Sequence, residues 1–151
     1  MILEFNPAKE SDAELIFEWR NDPETRAQSF STSELKWEDH LQWFKSSLTN
    51  PHRQIFVASA IIDSKLMPVA IMRRDLKTEN TPTRYTLSWM VNPQARGKGV
   101  GSALLSQFVK KFPAAYSAEI KSSNIASIKM TEKAGFYLFQ THDENQVWHF
   151  Q

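Results

Sequence analysis

Three glycines within five residues constrain this chain more than any other feature of its sequence. They are Gly97, Gly99 and Gly101, and the 151-residue chain has only four glycines in all. Glycine usually makes up about 7% of a protein, so it is scarce here everywhere except in this cluster. Because glycine has no Cβ, it tolerates positive φ and lets the backbone approach another group closely. The cluster therefore predicts a segment whose backbone contacts a ligand directly.

The cluster lies between a predicted strand, 84–91, and a predicted helix that runs from about 99 to 112. The first N–H groups of a helix have no partner within the helix, and the helix dipole adds to their attraction for anions. Arg96 and Lys98 add positive charge at the same place. The predicted ligand group is a phosphate or pyrophosphate.

Two well-known phosphate-binding loops do not match this stretch. A P-loop requires G-x-x-x-x-G-K-[ST], which is absent. A dinucleotide-binding fingerprint requires G-x-G-x-x-G, but the sixth position is Ser102 when counted from Gly97 and Leu104 when counted from Gly99. Glu119 nevertheless lies near the offset of the ribose-binding acidic residue, so that alternative stays open, as does a glycine-rich turn without a ligand.

The pattern that fits is R-x-x-G-x-G/A, formed by Arg96, Gly99 and Gly101. A second pattern follows at the expected spacing: N-I-A-S at 124–127 and E-K-A-G-F at 132–136. Together the two patterns resemble the paired acetyl-CoA motifs of the GNAT superfamily of N-acetyltransferases. The resemblance covers about 84–141, more than a third of the chain.

This resemblance implies one α+β domain, 1–151, with a GNAT fold. The central sheet would be mostly antiparallel, with six to seven strands and about four flanking helices, and would be splayed between its fourth and fifth strands. The residue pattern agrees, because strand-like segments at 54–62, 67–73 and 84–91 follow one another without helices, which favours antiparallel pairing. The strand–helix–strand order after them favours a parallel pair.

Turn and helix signals divide the rest of the chain. Two helices are predicted at about 12–21 and 34–48, and Asp22-Pro23 is expected to end the first, since a residue before proline avoids helical geometry. Turns are predicted at 63–64 and 78–82, and a closing hairpin around 143–145.

The resemblance also implies acetyl-CoA as the acyl-donor substrate and no metal. The backbone of Met90 and Val91 would bond the pantetheine amides, the loop would hold the pyrophosphate, and Asn124 would bond pantetheine or cap a helix. The residues implied at acetyl-CoA are Met90, Val91, Arg96, Gly97, Lys98, Gly99, Val100, Gly101, Asn124, Ser127 and Lys133.

The sequence favours direct attack of an amine on the thioester. Because the chain has no cysteine, an acyl-cysteine intermediate is excluded. Direct attack needs a deprotonated amine and a donor for the thioester oxygen, for which the Met90 N–H is a candidate. Candidates for the base are His40, with an intrinsic pKa of about 6.5, Glu119, and a chain of water molecules.

The general acid is a departure from the family pattern. Many relatives carry a tyrosine four residues before the glycine of the second motif, where it protonates the leaving thiolate. Here that position is Thr131, and a threonine hydroxyl is a far weaker acid than a phenol with a pKa of about 10. Tyr137, in the next strand, is a candidate substitute, and a thiol of pKa about 8.5 needs little help to leave.

The first half of the chain is expected to bind the acceptor. The candidates are Trp19, Arg20, Asn21 and Trp43, near His40. Their W-R-N and H-x-x-W arrangement resembles the branch that acetylates nucleotide-linked amino sugars, in which arginines suit a pyrophosphate and tryptophans a flat base. A ribosomal-protein-type N-terminal acetyltransferase and a non-catalytic CoA-binding module are the alternatives.

Charge and hydropathy narrow the class of partner. The formal net charge is +1, which argues against a general nucleic-acid binder. No apolar run is long enough to span a bilayer, and the short acidic start is unlike a secretory signal. The sequence thus predicts a cytoplasmic enzyme for a small-molecule amine, without a nucleic-acid or membrane partner, and the resemblance leaves room for a homodimer.

Overall fold

One seven-stranded sheet organises the computed structural model, which describes residues 1–79 and 83–151. The strands are β1 (Glu4–Pro7), β2 (Arg53–Ile62), β3 (Lys65–Lys77), β4 (Arg84–Val91), β5 (Tyr116–Lys121), β6 (Tyr137–His142) and β7 (Asn145–Phe150). Their spatial order is β1-β2-β3-β4-β5-β7-β6. Every neighbouring pair is antiparallel except β4 and β5. The predicted α+β class with a mostly antiparallel sheet is confirmed.

Five α-helices accompany the described strands, whereas about four were expected. They are α1 (Ala13–Arg20), α2 (Pro23–Gln28), α3 (Trp37–Thr49), α4 (Val100–Lys111) and α5 (Ile125–Lys133). In the described part of the chain, none of them combines the length and the apolar character needed to cross a bilayer.

Helix α2 is the one that the sequence prediction missed. Asp22 and Pro23 do end α1, but they also begin α2: the Asp22 carboxylate accepts a hydrogen bond from the Thr25 N–H at 3.1 Å, and Pro23 is the first helical residue. Aspartate is a favoured N-cap, and proline suits the first turn because it lacks an N–H that would have no partner there.

The hairpin between β2 and β3 turns on Asp63 and Ser64, whose φ angles are 50° and 66°. It was predicted from those two residues, although β3 runs longer than the predicted 67–73. The turn predicted at 78–82 falls partly on residues 80–82, which lie outside the described residues.

The parallel pair β4–β5 is short. Pairing begins with Tyr85 opposite Tyr116 and ends with Leu87 opposite Ala118, while β4 continues to Val91. The remaining β4 residues, 88–91, stay paired with β3. The sheet therefore splays between its fourth and fifth strands in sequence order, as predicted.

The sheet carries a packed layer on each face. On one face Leu104, Leu105 and Phe108 of α4 pack in a core with Leu87 of β4. On the other face α1 and α3 pack on β2 and β3 through a second core, formed by Ala13, Ile16, Trp19, Phe44, Ile55, Val57 and Ile71. Along β4, Trp89 and Val91 pack with the first core and Met90 with the second. The splay thus leaves a strand end without a β5 neighbour, and the side chains of this strand end pack with both cores.

Candidate active site

A cleft of about 1060 Å³ opens where β4 and β5 part. It is lined by the end of β4, the glycine loop, the ends of β5 and α5, and α2 with the segment after it. Its far wall is formed by residues from α1, α3, β2 and β3, namely Ile16, Arg20, Trp43, Ile55, Ile71 and Arg73. The cleft therefore joins the predicted loop to the predicted acceptor half.

The glycine loop presents bare backbone to this cleft. Gly97 and Gly99 have φ angles of 73° and 86°, and a Cβ added at either would meet no protein atom within 4 Å. Gly99 precedes α4 without any side-chain cap, so the N–H groups of Val100, Gly101 and Ser102 have no acceptor within the helix. Open space beside free donors fits the oxygens of a pyrophosphate.

Gly101 has a different reason to be glycine. It lies in the first turn of α4, where a Cβ would come 3.2 Å from Met130 Sδ of α5. A side chain there would force the Met130 side chain to shift by a few tenths of an ångström. Gly101 thus lies where α4 meets Met130 of α5, and it also lines the cleft.

Arg96 points to α2. Its guanidinium forms ion pairs with Asp22 and, at 2.9 Å, with Glu24, and it donates a hydrogen bond to Thr25 Oγ1 at 3.2 Å. Burial raises the pKa of the Asp22 carboxyl, but the hydrogen bonds from Arg96 and Thr25 outweigh burial and lower that pKa overall. Lys98, also predicted at the pyrophosphate, is outside the lining of the cleft.

Helix α2 lines the cleft and is held at both ends. Arg96 holds its first turn. At its other end the Ala27 carbonyl accepts a hydrogen bond from Lys121 Nζ at 3.2 Å, and Lys121 ends β5. The helix thus bridges the two sides of the splay.

The register of β4 decides which of its backbone groups face the opening. Tyr85 donates its N–H at the β5 edge, to the carbonyl just before β5, at 3.0 Å, whereas Asn92 donates its N–H to β3 at 2.8 Å. Backbone groups of alternate residues point to opposite edges of a strand, and the β3–β4 register runs without a shift. The backbone N–H and C=O groups of Trp89 and Val91 therefore face the opening, whereas the N–H of Met90 faces β3. The expected role of Met90 as a thioester donor conflicts with this geometry.

Helix α5 supplies the opposite wall. Asn124 Oδ1 accepts from the Ser127 N–H at 3.2 Å, so Asn124 caps α5, and Ser127 Oγ accepts from Trp89 Nε1 of β4 at 3.2 Å. Asn124, Ser127 and Lys133 all line the cleft. Thr131 is fully buried, with its hydroxyl donating to the Ser127 carbonyl at 2.6 Å, so it is not available to protonate a leaving group.

His40 does not fit the role of general base. It is buried and is not part of the cleft lining. Its Nδ1 lies 3.0 Å from an Arg20 nitrogen and must accept, because arginine only donates, so Nε2 carries the proton and donates to the Ala13 carbonyl at 2.7 Å. Burial lowers the pKa of His40, the Ala13 bond opposes this, and the Arg20 charge adds to the lowering. His40 is a neutral residue that positions Arg20.

Of the other two catalytic candidates, Glu119 lies in the cleft and Tyr137 does not. Tyr137 is half exposed on β6 and packs edge-on against His149. Glu119 lines the cleft, and its carboxylate lies 3.2 Å from His142 Nε2. Glu119 follows the last β5 residue paired with β4, level with Ser88. Because side chains alternate along a strand, Glu119 and Ser88 point to the same face.

The acceptor candidates divide into two groups. Trp19 is a core residue, and both amide atoms of Asn21 bond the backbone of Leu35, at 2.7 and 3.0 Å. Trp19 and Asn21 therefore stabilise the fold. Arg20 and Trp43 line the cleft, with the Arg20 guanidinium 4.2 Å from the centre of the Trp43 ring.

Arg73 of β3 is a cleft residue that sequence reasoning missed. It donates to Ser88 Oγ at 3.3 Å, and its guanidinium lies 5.9 Å from the Trp43 ring centre. In the sequence, Arg73 and its neighbour Arg74 look like solvent-exposed residues of a strand. The sequence therefore contains no signal that Arg73 lines a cleft. Only the pairing of β3 with β4 brings Arg73 to the splay.

In the described ranges, no group of three or more histidine, aspartate or glutamate side chains is arranged to hold a metal ion. The groups that do converge on the cleft are backbone donors of the glycine loop together with arginine, tryptophan and glutamate side chains.

Comparison with known proteins agrees with this geometry. Residues 3–137 match the family model described as "Acetyltransferase (GNAT) domain". No curated protein matches the chain significantly.

Many solved structures share the fold. A domain from Methanocaldococcus jannaschii DSM 2661 has a TM-score of 0.80 at 18% identity, covering 99% of this chain and 97% of that one. A phosphinothricin acetyltransferase from Sinorhizobium meliloti in complex with acetyl-CoA has a TM-score of 0.75 at 20% identity, covering 99% and 88%. A spermidine N-acetyltransferase from Vibrio cholerae in complex with CoA and spermine has a TM-score of 0.76 at 13% identity, covering 97% and 92%.

Proposed function

The chain belongs to the GNAT acetyltransferase family, and we propose that it transfers the acetyl group of acetyl-CoA directly to a primary amine of a nucleotide-linked amino sugar. It is an acetyl-CoA-dependent N-acetyltransferase, and what we propose is the identity of the acceptor. The observation that supports it is the arginine and tryptophan wall at the far end of the cleft.

The splayed half of the cleft would hold acetyl-CoA. The N–H groups at the start of α4 and the open space at Gly97 and Gly99 suit its pyrophosphate. The β4 edge at Trp89 and Val91, which has no β5 partner in the described pairing, offers backbone donors and acceptors to pantetheine amides. When bound, acetyl-CoA supplies the thioester that the amine attacks.

Glu119 is our candidate for the general base. An amine must lose a proton before or during attack, and Glu119 Oε atoms lie at the splay, beside His142 Nε2 at 3.2 Å. We propose that the carboxylate accepts this proton, directly or through water. The Val91 N–H, on the open edge of β4, takes the place of the Met90 N–H as candidate donor to the thioester oxygen.

An acceptor screen that measures free thiol release tests the proposal. The panel compares a uridine-diphosphate amino sugar, the same sugar without its nucleotide, a peptide with a free N-terminus, and spermidine. Because remote binding energy positions the amine, the nucleotide-linked sugar should give the highest kcat and the lowest KM. Preferred turnover of the peptide would replace this acceptor by a protein N-terminus, and CoA binding without any turnover would indicate a non-catalytic module.

Cytoplasmic location and homodimer formation remain predictions from the sequence. Cell fractionation and the solution mass of the purified chain are the measurements that check them.

A further inference from the structure

Two arginines and one tryptophan form a compact surface at the far wall of the cleft. The guanidinium carbons of Arg20 and Arg73 lie 4.2 and 5.9 Å from the centre of the Trp43 ring, and all three residues line the cleft. We propose that Arg20 and Arg73 form an oxyanion subsite, which holds a carboxylate or phosphate group of the acceptor close to its amine. This proposal rests on the acetyltransferase function and specifies what the acceptor must carry.

The charge around these residues is unbalanced. Arg53 takes the Asp75 carboxylate with two hydrogen bonds, at 2.7 and 3.3 Å. Arg73 Nε lies 3.4 Å from the same carboxylate but is buried without a hydrogen-bond partner among the described residues. Arg53 and Arg73 thus share one carboxylate, and the Arg20 guanidinium has the neutral ring of His40 as its hydrogen-bond partner.

The pKa values of both arginines agree with this imbalance. Burial lowers the pKa of Arg20, and the charge of Arg73 lowers it further. Burial also lowers the pKa of Arg73; the charge of Asp75 opposes this effect, and the charge of Arg53 adds to it. A partly buried cation whose charge is not fully matched by a carboxylate is costly, and an oxyanion between two guanidiniums would lower that cost through paired N–H···O bonds.

The subsite lies next to the reacting groups. Arg73 donates to Ser88 Oγ at 3.3 Å, and Ser88 is the first β4 residue beyond the pairing with β5. Glu119 points to the same face from β5, so a carboxylate and two guanidiniums face the splay from opposite sides. An acceptor whose ammonium group turns to Glu119 would turn a nearby oxyanion to Arg20 and Arg73. A polyamine would bring additional positive charge to the two arginines instead.

Arg73→Gln and Arg20→Gln test the subsite, with Arg74→Gln as the matched control. Arg74 is the next residue of β3, but it bonds Gln54 and Tyr116 outside the cleft. Each variant is assayed with two acceptor pairs: an amino acid and its amide, and an aminosugar phosphate and the neutral aminosugar. The carboxylate pair and the phosphate pair distinguish the two sources of the oxyanion.

For the acceptor with the oxyanion, kcat/KM should fall about 10- to 100-fold in both cleft variants, the range for hydrogen bonds to charged groups. In both cleft variants, kcat/KM for the uncharged acceptor and the KM of acetyl-CoA should change less than about threefold. In Arg74→Gln, kcat/KM for both kinds of acceptor should also change less than about threefold. The melting temperature of Arg73→Gln should stay level or rise, because a like-charge repulsion is removed. Equal losses for charged and uncharged acceptors, or a lower melting temperature with no change in acceptor preference, would overturn the subsite.

A binding experiment separates this subsite from the acetyltransferase function. The protein is saturated with CoA, which fills the glycine loop, and inorganic phosphate is then titrated in a calorimeter. Wild type and Arg74→Gln should bind phosphate in competition with the charged acceptor, and Arg20→Gln and Arg73→Gln should bind it at least tenfold more weakly. Phosphate binding that depends on both arginines, in a protein that acetylates no amine, would support the subsite while the proposed acceptor fails. No phosphate binding by a protein that does acetylate amines would refute the subsite alone.

Discussion

The two sides of the cleft are built in opposite ways. The side proposed for acetyl-CoA combines the backbone of the β4 edge and of the glycine loop, 96–102, with α5 and its cap, 124–133. The side proposed for the acceptor consists of side chains that come from α1, α3, β3 and β5, which are far apart in the sequence. Backbone sites depend on residues that permit a conformation, and these residues form readable local patterns. Side-chain sites depend on which strands become neighbours, so only the folded chain reveals them.

The strongest test of the backbone side is Gly99→Val. A side chain there would occupy the open space beside the first N–H groups of α4, and φ at this position is 86°. CoA affinity should fall more than about 100-fold, the equivalent of losing two charged hydrogen bonds. Isothermal titration calorimetry measures this loss.

The control is Gly135→Val, at a glycine with a φ of 94° at the end of α5. Both changes impose a backbone cost of about 1–3 kcal/mol, so both should lower the melting temperature. Only Gly99→Val should lose CoA. An equal loss in the two variants would mean that strain, and not the blocked loop, weakens binding.

On the side-chain side, Glu119→Gln should have the largest effect. The amide cannot take a proton, so kcat should fall about 100-fold or more, the contribution of a positioned base, while CoA affinity stays unchanged. Steady-state kinetics across pH measure this effect, with the exposed α5 residue Glu132→Gln as control. A kcat within about threefold of wild type would mean that water, and not Glu119, accepts the proton of the amine.

His40→Phe tests the distinction between a positioning residue and a catalytic one. The phenyl ring leaves the Ala13 carbonyl without its partner, so the free energy of unfolding should fall by about 1–3 kcal/mol. Denaturant titration measures this change, and the exposed His52→Phe should show none of it.

The pH dependence of stability provides a second readout for His40. Its pKa is lowered in the folded protein, mainly by burial, so below an unfolded pKa of about 6.5 the unfolded chain binds the extra proton. Stability should therefore be full above that pH and decline as the pH falls below it. His40→Phe should reduce this decline, leaving the part due to His149, whose pKa burial and Arg84 also lower. An unchanged decline would show that His40 is not buried in neutral form.

The smallest effect is expected from Tyr137→Phe. The hydroxyl lies on the sheet edge, outside the cleft, so kcat should change less than about twofold, within the usual effect of a surface substitution. A loss approaching that of Glu119→Gln would restore Tyr137 as the general acid.

The same contrast explains which predictions succeeded. The turn at Asp63 and the mostly antiparallel sheet follow from turn residues and from the order of the strand-like segments, which are local properties, and the splay between the fourth and fifth strands was implied by the resemblance carried by the two local motifs. Helix α2 was missed because Asp22-Pro23 is both an end signal and a start signal. Only the neighbouring residues decide which of the two applies.

The site predictions failed where tertiary contacts decide a side chain's role. His40 has the intrinsic pKa of a base, but Ala13 and Arg20 occupy both of its nitrogens. Met90 is in the predicted strand, but the β3 register turns its N–H away from the opening. Arg73 has no motif at all, and its role depends on lying opposite Ser88.

The position of Arg96 has a consequence for how the two sides affect each other. The Arg96 side chain extends from the glycine loop and is held by Asp22, the N-cap of α2, and by Glu24 in its first turn. A phosphate that recruits one of these N–H donors must compete with the two carboxylates for it. By thermodynamic reciprocity, the factor by which a docked α2 weakens binding of the phosphate equals the factor by which the bound phosphate weakens docking of α2. A phosphate that takes a donor from Arg96 would thereby weaken the hold on α2, whose residues line the same cleft.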